Sequence, residues 1–133
     1  MNKPPWSKIL KPELLNSSIV WPALCAGLTV LVLWLSLIPA DAVPVAGLDW
    51  DKLNHAAAIA AVTFAAFLAL KPYRWAAQTA FLYGILLGGL IEAFQAIFTT
   101  TRSAEWGDLL ADLIGAGLVW CLIFFIQRKR DQS

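Results

Sequence analysis

Charge is what this chain has least of: only 14% of its 133 residues are Asp, Glu, Lys or Arg, against about 25% in an ordinary soluble domain. Cysteine is scarce too, with two residues, Cys25 and Cys121, each inside an apolar stretch. They read as small buried hydrophobes with free thiols, which excludes a disulfide scaffold and a cysteine metal site. There is one histidine, no glycine-rich phosphate loop, no internal repeat and no basic patch of the kind that binds nucleic acid. What fills the chain instead is apolar: 59% of residues are hydrophobic and the mean hydropathy is +0.67.

The apolar residues fall into four runs, 19–38, 53–70, 76–98 and 108–126, each close to the ~20 residues that cross a bilayer as a helix. The pattern predicts an all-α, polytopic membrane protein with four transmembrane helices. An interfacial leader over 1–18 and a basic tail over 127–133 flank a single membrane domain, 19–126. Lys3, Lys8 and Lys11 before the first run, and Ala40-Asp41-Ala42 after it, imitate a signal peptide and its cleavage site. The run is too long for a signal-peptide core of about 7–15 residues, so it reads as a true first span.

Basic residues set the expected orientation. Lys3, Lys8, Lys11, Lys71, Arg74, Arg128, Lys129 and Arg130 lie on one side, and only Lys52 and Arg102 on the other. The positive-inside rule then puts both termini in the cytoplasm, with outer loops at Pro39–Trp50 and Thr99–Gly107. Trp50, Trp75 and Trp106 fall at the expected interfaces, where amphipathic rings settle.

The helices differ in character. The first is rich in Leu, Val and Trp, Leu33 among them, which suits lipid exposure. The second carries eight alanines between His55 and Leu70; side chains that small let backbones approach, so this helix is expected at the centre. Gly84 and Gly88 in the third, and Ala111, Gly115 and Gly117 in the fourth, likewise favour tight packing within the molecule.

The few ionisable residues gather at one end. Asp51 and His55 are four apart at the outer start of the second helix, and so share a face. Glu92 and Gln95 share a face of the third, with Glu92 about 9 Å inside its outer end at 1.5 Å per residue. Asp108 and Asp112 are again four apart on the fourth. Three helices thus bring polar pairs to one depth, where a charge is expensive and marks an interior or a cavity. Three roles stay open for them. They can form a buried ion-pair network, with Lys52 or Arg102 against Glu92 and Asp108 and with His55 bridging. They can bind a ligand at the outer leaflet, Arg102 clamping a phosphate or carboxylate bidentately and Trp50 and Trp106 flanking a lipid or sugar. They can catalyse, with His55, Glu92, Asp108 and Asp112 holding a divalent cation or moving protons. No nucleophile motif supports catalysis, Ser103 included, and a lone histidine beside acids reads as a satisfied partner. No cofactor or metal is therefore assigned.

Asp51-Lys52-x-x-His55, Glu92-x-x-Gln95 and Arg102-Ser103-x(4)-Asp108-x(3)-Asp112-x(2)-Gly115 together resemble the VanZ-like family of small bacterial integral membrane proteins, over residues 51–118. The family usually has Asn at the place of Asp112, and often an aromatic residue soon after the histidine, where this chain is alanine-rich. The resemblance implies a bacterial inner-membrane protein of the cell envelope. The family's founding member is linked to low-level resistance to the glycopeptide teicoplanin. The expectation is a non-enzymatic protein that binds or shields an envelope component at its outer face. Alternatives are an accessory subunit of a larger membrane complex and a small lipid- or envelope-modifying enzyme. The expected partners are membrane lipids, an envelope precursor or such a complex, and no nucleic acid.

Overall fold

The computed structural model describes residues 18–39, 42, 51–101 and 104–131. All but the last residue of the expected leader, and also Trp50, Arg102 and Ser103, lie outside them. The described chain is all-helical: α1 (Val20–Leu37), α2 (Asp51–Leu70), α3 (Ala76–Phe98) and α4 (Trp106–Asp131). Each is long and apolar enough to cross a membrane. The chain is a multi-pass membrane protein, and the spans match the apolar runs. The exception is the expected basic tail, whose residues 127–131 continue α4. Nothing in 127–131 breaks the helix, with neither Gly nor Pro present.

The helices alternate in direction, so the start of α2, the end of α3 and the start of α4 meet at one end. A tight turn at the other end joins α2 to α3. There Tyr73 N–H donates to the Leu70 carbonyl (2.8 Å) and Ala76 N–H to that of Tyr73 (3.2 Å). The Arg74 guanidinium lies 5.1 Å from the centroid of the exposed Trp75 ring, a cation–π contact among the basic residues of that end.

Helix α2 packs against all three others, the central place its alanines predict. Its inner face carries His55, Ile59, Val62, Thr63, Ala65 and Ala66. Ile59 and Val62 meet Leu87 and Ile91 of α3 and Ala116 of α4 in the apolar core. Gly115 lets α2 and α4 come this close: a Cβ there would run into the Ala56 carbonyl group and lie 3.0 Å from the Ala56 Cα. Helix α1 is peripheral, with no residue fully buried. It is not wholly lipid-facing, since Leu28, Val32 and Leu33 pack against the core. That corrects the expectation for Leu33. A second correction concerns Cys121, which is exposed on α4 and not buried, while Cys25 is half-buried; both thiols are free.

The Gly115 contact gives a direct test. Gly115→Ala must push α2 and α4 apart, at a cost of about 1–3 kcal/mol for an overpacked site. Gly117, two residues on, has open space around its own Cβ position. Gly117→Ala should therefore be neutral or stabilising by up to about 1 kcal/mol through helix propensity. Unfolding of the two variants in detergent compares them directly.

Candidate functional site

Five polar side chains from three helices are buried at the end where α2, α3 and α4 meet: His55, Glu92, Gln95, Asp108 and Asp112. Asp51, also expected there, is exposed at the first position of α2, and Lys52 is half-buried. The helical periodicity explains the split. Positions 55, 59 and 62–63 point inward, which turns Asp51 to the rim one turn above His55.

The rim is an ion-pair layer. The Lys52 ammonium donates to Glu105 Oε2 at 3.0 Å and to Asp108 Oδ1 at 3.3 Å. Both Lys52 and Glu105 are partly open to solvent, so this pairing adds little stability and serves to tie α2 to the start of α4. Glu105 also holds that start by its backbone. Its carbonyl accepts from Asp108 N–H (3.0 Å) and Leu109 N–H (3.3 Å). Its own N–H donates to Glu92 Oε2 at 3.0 Å, a charge-assisted bond worth about 1.5–3 kcal/mol. Glu92 therefore fastens α3 to the α4 entry. The partner expected for it was Arg102 or His55. His55 Nδ1 does stand at ion-pair distance, 3.9 Å from Glu92 Oε1, the aligned hydrogen bond comes from a backbone amide, and Arg102 lies outside the described residues.

Beneath the rim lies the core of the site. His55 Nδ1 is 3.4 Å from Asp112 Oδ1. A ring nitrogen of His55 and one carboxylate oxygen each of Glu92 and Asp112 all lie within 4.8 Å of one another. A second trio of Asp51, His55 and Asp108 meets the same criterion, but Asp51 is exposed and Asp108 is already paired with Lys52. Glu92 is 4% and Asp112 1% exposed. Even so, Glu92 Oε1 and both Asp112 oxygens have no hydrogen-bond partner among the described residues. Buried polar atoms are otherwise almost always paired, because an unpaired one forfeits its hydration for nothing.

Gln95 works outside this core. Its amide Nε2 donates to the Ser36 carbonyl of α1 at 3.1 Å. Its backbone carbonyl accepts from Thr99 Oγ1 (2.8 Å) and Thr99 N–H (3.2 Å), which closes α3. Of the expected residues, Asp51, Lys52, His55, Glu92, Asp108 and Asp112 come together, Gln95 borders them, and Arg102 and Ser103 lie outside the described residues. Glu105 and the Ser36 carbonyl were missed. Glu105 stands three residues before Asp108, one turn earlier, and that spacing was its available signal. A backbone carbonyl such as that of Ser36 leaves no trace in the sequence.

No family profile, curated protein or solved structure matches this chain. The site is therefore read from its own chemistry.

Among the described residues the cluster holds five carboxylates (Asp51, Glu92, Glu105, Asp108 and Asp112) against Lys52 and a histidine. That acid surplus favours cationic groups. Glu92 is also structural, so Glu92→Ala, which orphans the Glu105 amide, should cost about 1–3 kcal/mol. Val30→Ala on the outer face of α1 is the control, since Val30 is exposed, and should stay within about 0.5 kcal/mol. Equal unfolding midpoints for the two variants would remove Glu92 from the network.

Proposed function

We propose that the chain is a bacterial inner-membrane protein, VanZ-like in its motif pattern, with both termini in the cytoplasm. Its function is to bind or shield a cell-envelope component at the periplasmic end of the bundle. The observation that carries this reading is the trio of buried carboxylate oxygens around His55 that accept no hydrogen bond among the described residues, two of them only at ion-pair distance from its Nδ1. A network present only to fix helix register would use up its polar atoms internally. This one keeps acceptors in reserve beneath a polar rim. The rim adds an aromatic platform: Trp106 is 87% exposed at the first position of α4, next to Glu105. Such a ring offers an apolar face to a sugar or an acyl chain and a donor to water.

Electrostatics narrows the component. With acids in excess, the site suits a ligand that carries an amine or recruits a cation, and it disfavours a bare phosphate. The periplasmic placement rests on the eight-to-two partition of Lys and Arg. An orientation with the site in the cytoplasm would remove envelope components from its reach.

A single set of cysteine variants tests both halves, in a background with Cys25 and Cys121 replaced by Ser. Cysteines at Ala104 and Trp106 should react with an impermeant thiol reagent in intact spheroplasts, while those at Lys71 and Arg128 should react only after lysis. A photoreactive group attached at Ala104 should then capture a lipid-linked or glycan-bearing envelope molecule. Labelling in the reverse pattern, or capture of nothing but a partner polypeptide, would overturn this function.

A further inference from the structure

The unpartnered oxygens pose a charge problem that a ligand of one kind solves. Glu92 and Asp112 bring two carboxylates into the bundle interior, and among the described residues His55 is the one basic group in contact with both. With the imidazole neutral, two negative charges stand uncompensated among apolar side chains. A divalent cation cancels both at once and accepts lone pairs from all three residues.

We propose that His55, Glu92 and Asp112 form a binding site for a divalent transition-metal cation, zinc foremost. The proposal rests on reading this cluster as a ligand site and goes further by naming the ligand. Three arguments support it. The first is donor type: one imidazole with two carboxylates is a mixed nitrogen–oxygen set that suits zinc, whereas Mg²⁺ and Ca²⁺ favour all-oxygen shells. The second is spacing. Zinc–ligand bonds of 2.0–2.1 Å at tetrahedral angles put neighbouring donor atoms about 3.3 Å apart. His55 Nδ1 and Asp112 Oδ1 stand 3.4 Å apart, and His55 Nδ1 and Glu92 Oε1 3.9 Å apart. All three donor atoms lie within 4.8 Å of one another, near the spacing that one ion needs. Three protein donors leave the fourth position for water or for a donor atom of a bound envelope molecule.

The third argument is the cradle. Gly88 of α3 lies directly against the Asp112 side chain. A Cβ on Gly88 would come within 2.5 Å of Asp112 Oδ2 and 2.9 Å of its Cβ. The glycine thus makes the room in which the Asp112 carboxylate sits, on the face of α3 that also carries Glu92, four residues on. The acids of the rim, Asp51 and Glu105, draw cations toward this point.

The test uses the full chain purified in mild detergent, stripped with EDTA and titrated with Zn²⁺ alone, with Mn²⁺, Mg²⁺ and Ca²⁺ in parallel. Zinc should bind one per chain and raise the unfolding temperature, and Co²⁺ in its place should give the visible absorption of a tetrahedral centre. Asp112→Asn supplies the decisive comparison, because its effect on stability should change sign with the metal. In EDTA the variant removes an unpaired buried charge and should be as stable as the parent or more so. In zinc it should be the less stable of the two and bind at least about tenfold more weakly. Gly88→Ala should weaken zinc in the same direction, while Asp51→Asn, at the rim, should leave zinc affinity within about twofold of the parent. Undiminished zinc binding by Asp112→Asn, binding of Mg²⁺ or Ca²⁺ as tight as zinc, or no stabilisation by any ion would each overturn the proposal. The Ala104 capture experiment, repeated in EDTA, separates it from the function proposed above. Capture without zinc binding sinks the metal site alone, and zinc binding without capture sinks the envelope ligand alone.

Discussion

Taking a carboxylate out of water is the costliest thing this chain does, and much of its architecture follows from doing it three times within one bundle, at Asp108, which Lys52 pairs, and at Glu92 and Asp112 below it. Glu92 and Asp112 can stay inside the hydrocarbon only if helices close around them and lipid never meets them. That closure needs backbones near enough for short polar side chains to meet. Gly115 against the Ala56 carbonyl and Gly88 against Asp112 supply the approach. The small residues of α2, α3 and α4 are thus the geometric condition for the polar ones. Neither set would be tolerable alone: glycines without the cluster would leave gaps, and the cluster without glycines would face lipid.

The site is stratified. At the rim, Lys52, Glu105 and Asp108 exchange ion pairs that solvent partly screens. Deeper, the Glu105 amide spends its proton on Glu92, while His55 and Asp112 face each other at contact distance without an aligned bond. The same residue types therefore play different parts according to depth, because Coulomb interactions gain strength as the effective dielectric falls. A carboxylate at Asp51 is a solvated charge; one at Asp112 is a buried acceptor without a hydrogen bond among the described residues.

Much of this was legible in the sequence, and the illegible part has a common cause. Run length and the paucity of charge fixed four spans, since hydrocarbon thickness is a hard ruler. Four-residue spacing brought Asp51 with His55 and Asp108 with Asp112 to one end, and the alanines marked α2 as central. What could not be read was rotation about the helix axes. A lipid-exposed helix is apolar all round, so no amphipathic stripe told that Leu33 turns inward or that Cys121 turns outward. The polar pairs carried that information only where they occurred, at one end. The bonds from Glu105 N–H and to the Ser36 carbonyl involve main-chain groups that every residue owns. Spacing rules for side chains do not reach them.

The attachment of α1 has a consequence for how the protein is made. Thr29 gives its hydroxyl proton to the Cys25 carbonyl (2.8 Å), and Ser36 gives its own to that of Val32 (2.7 Å). Each of these hydroxyls is satisfied inside α1 before any partner arrives. Later, with Thr29's single proton already committed, it is Tyr83 O–H that donates to Thr29 Oγ1 at 2.7 Å, and Gln95 adds the bond to Ser36. Of the four described helices, α1 is thus the one suited to wait alone in the lipid. Helices α2, α3 and α4 each carry a group that tolerates hydrocarbon poorly without the others. Their insertion favours a concerted event in which α4, which follows α2 and α3 in the chain, shields what those two have been holding.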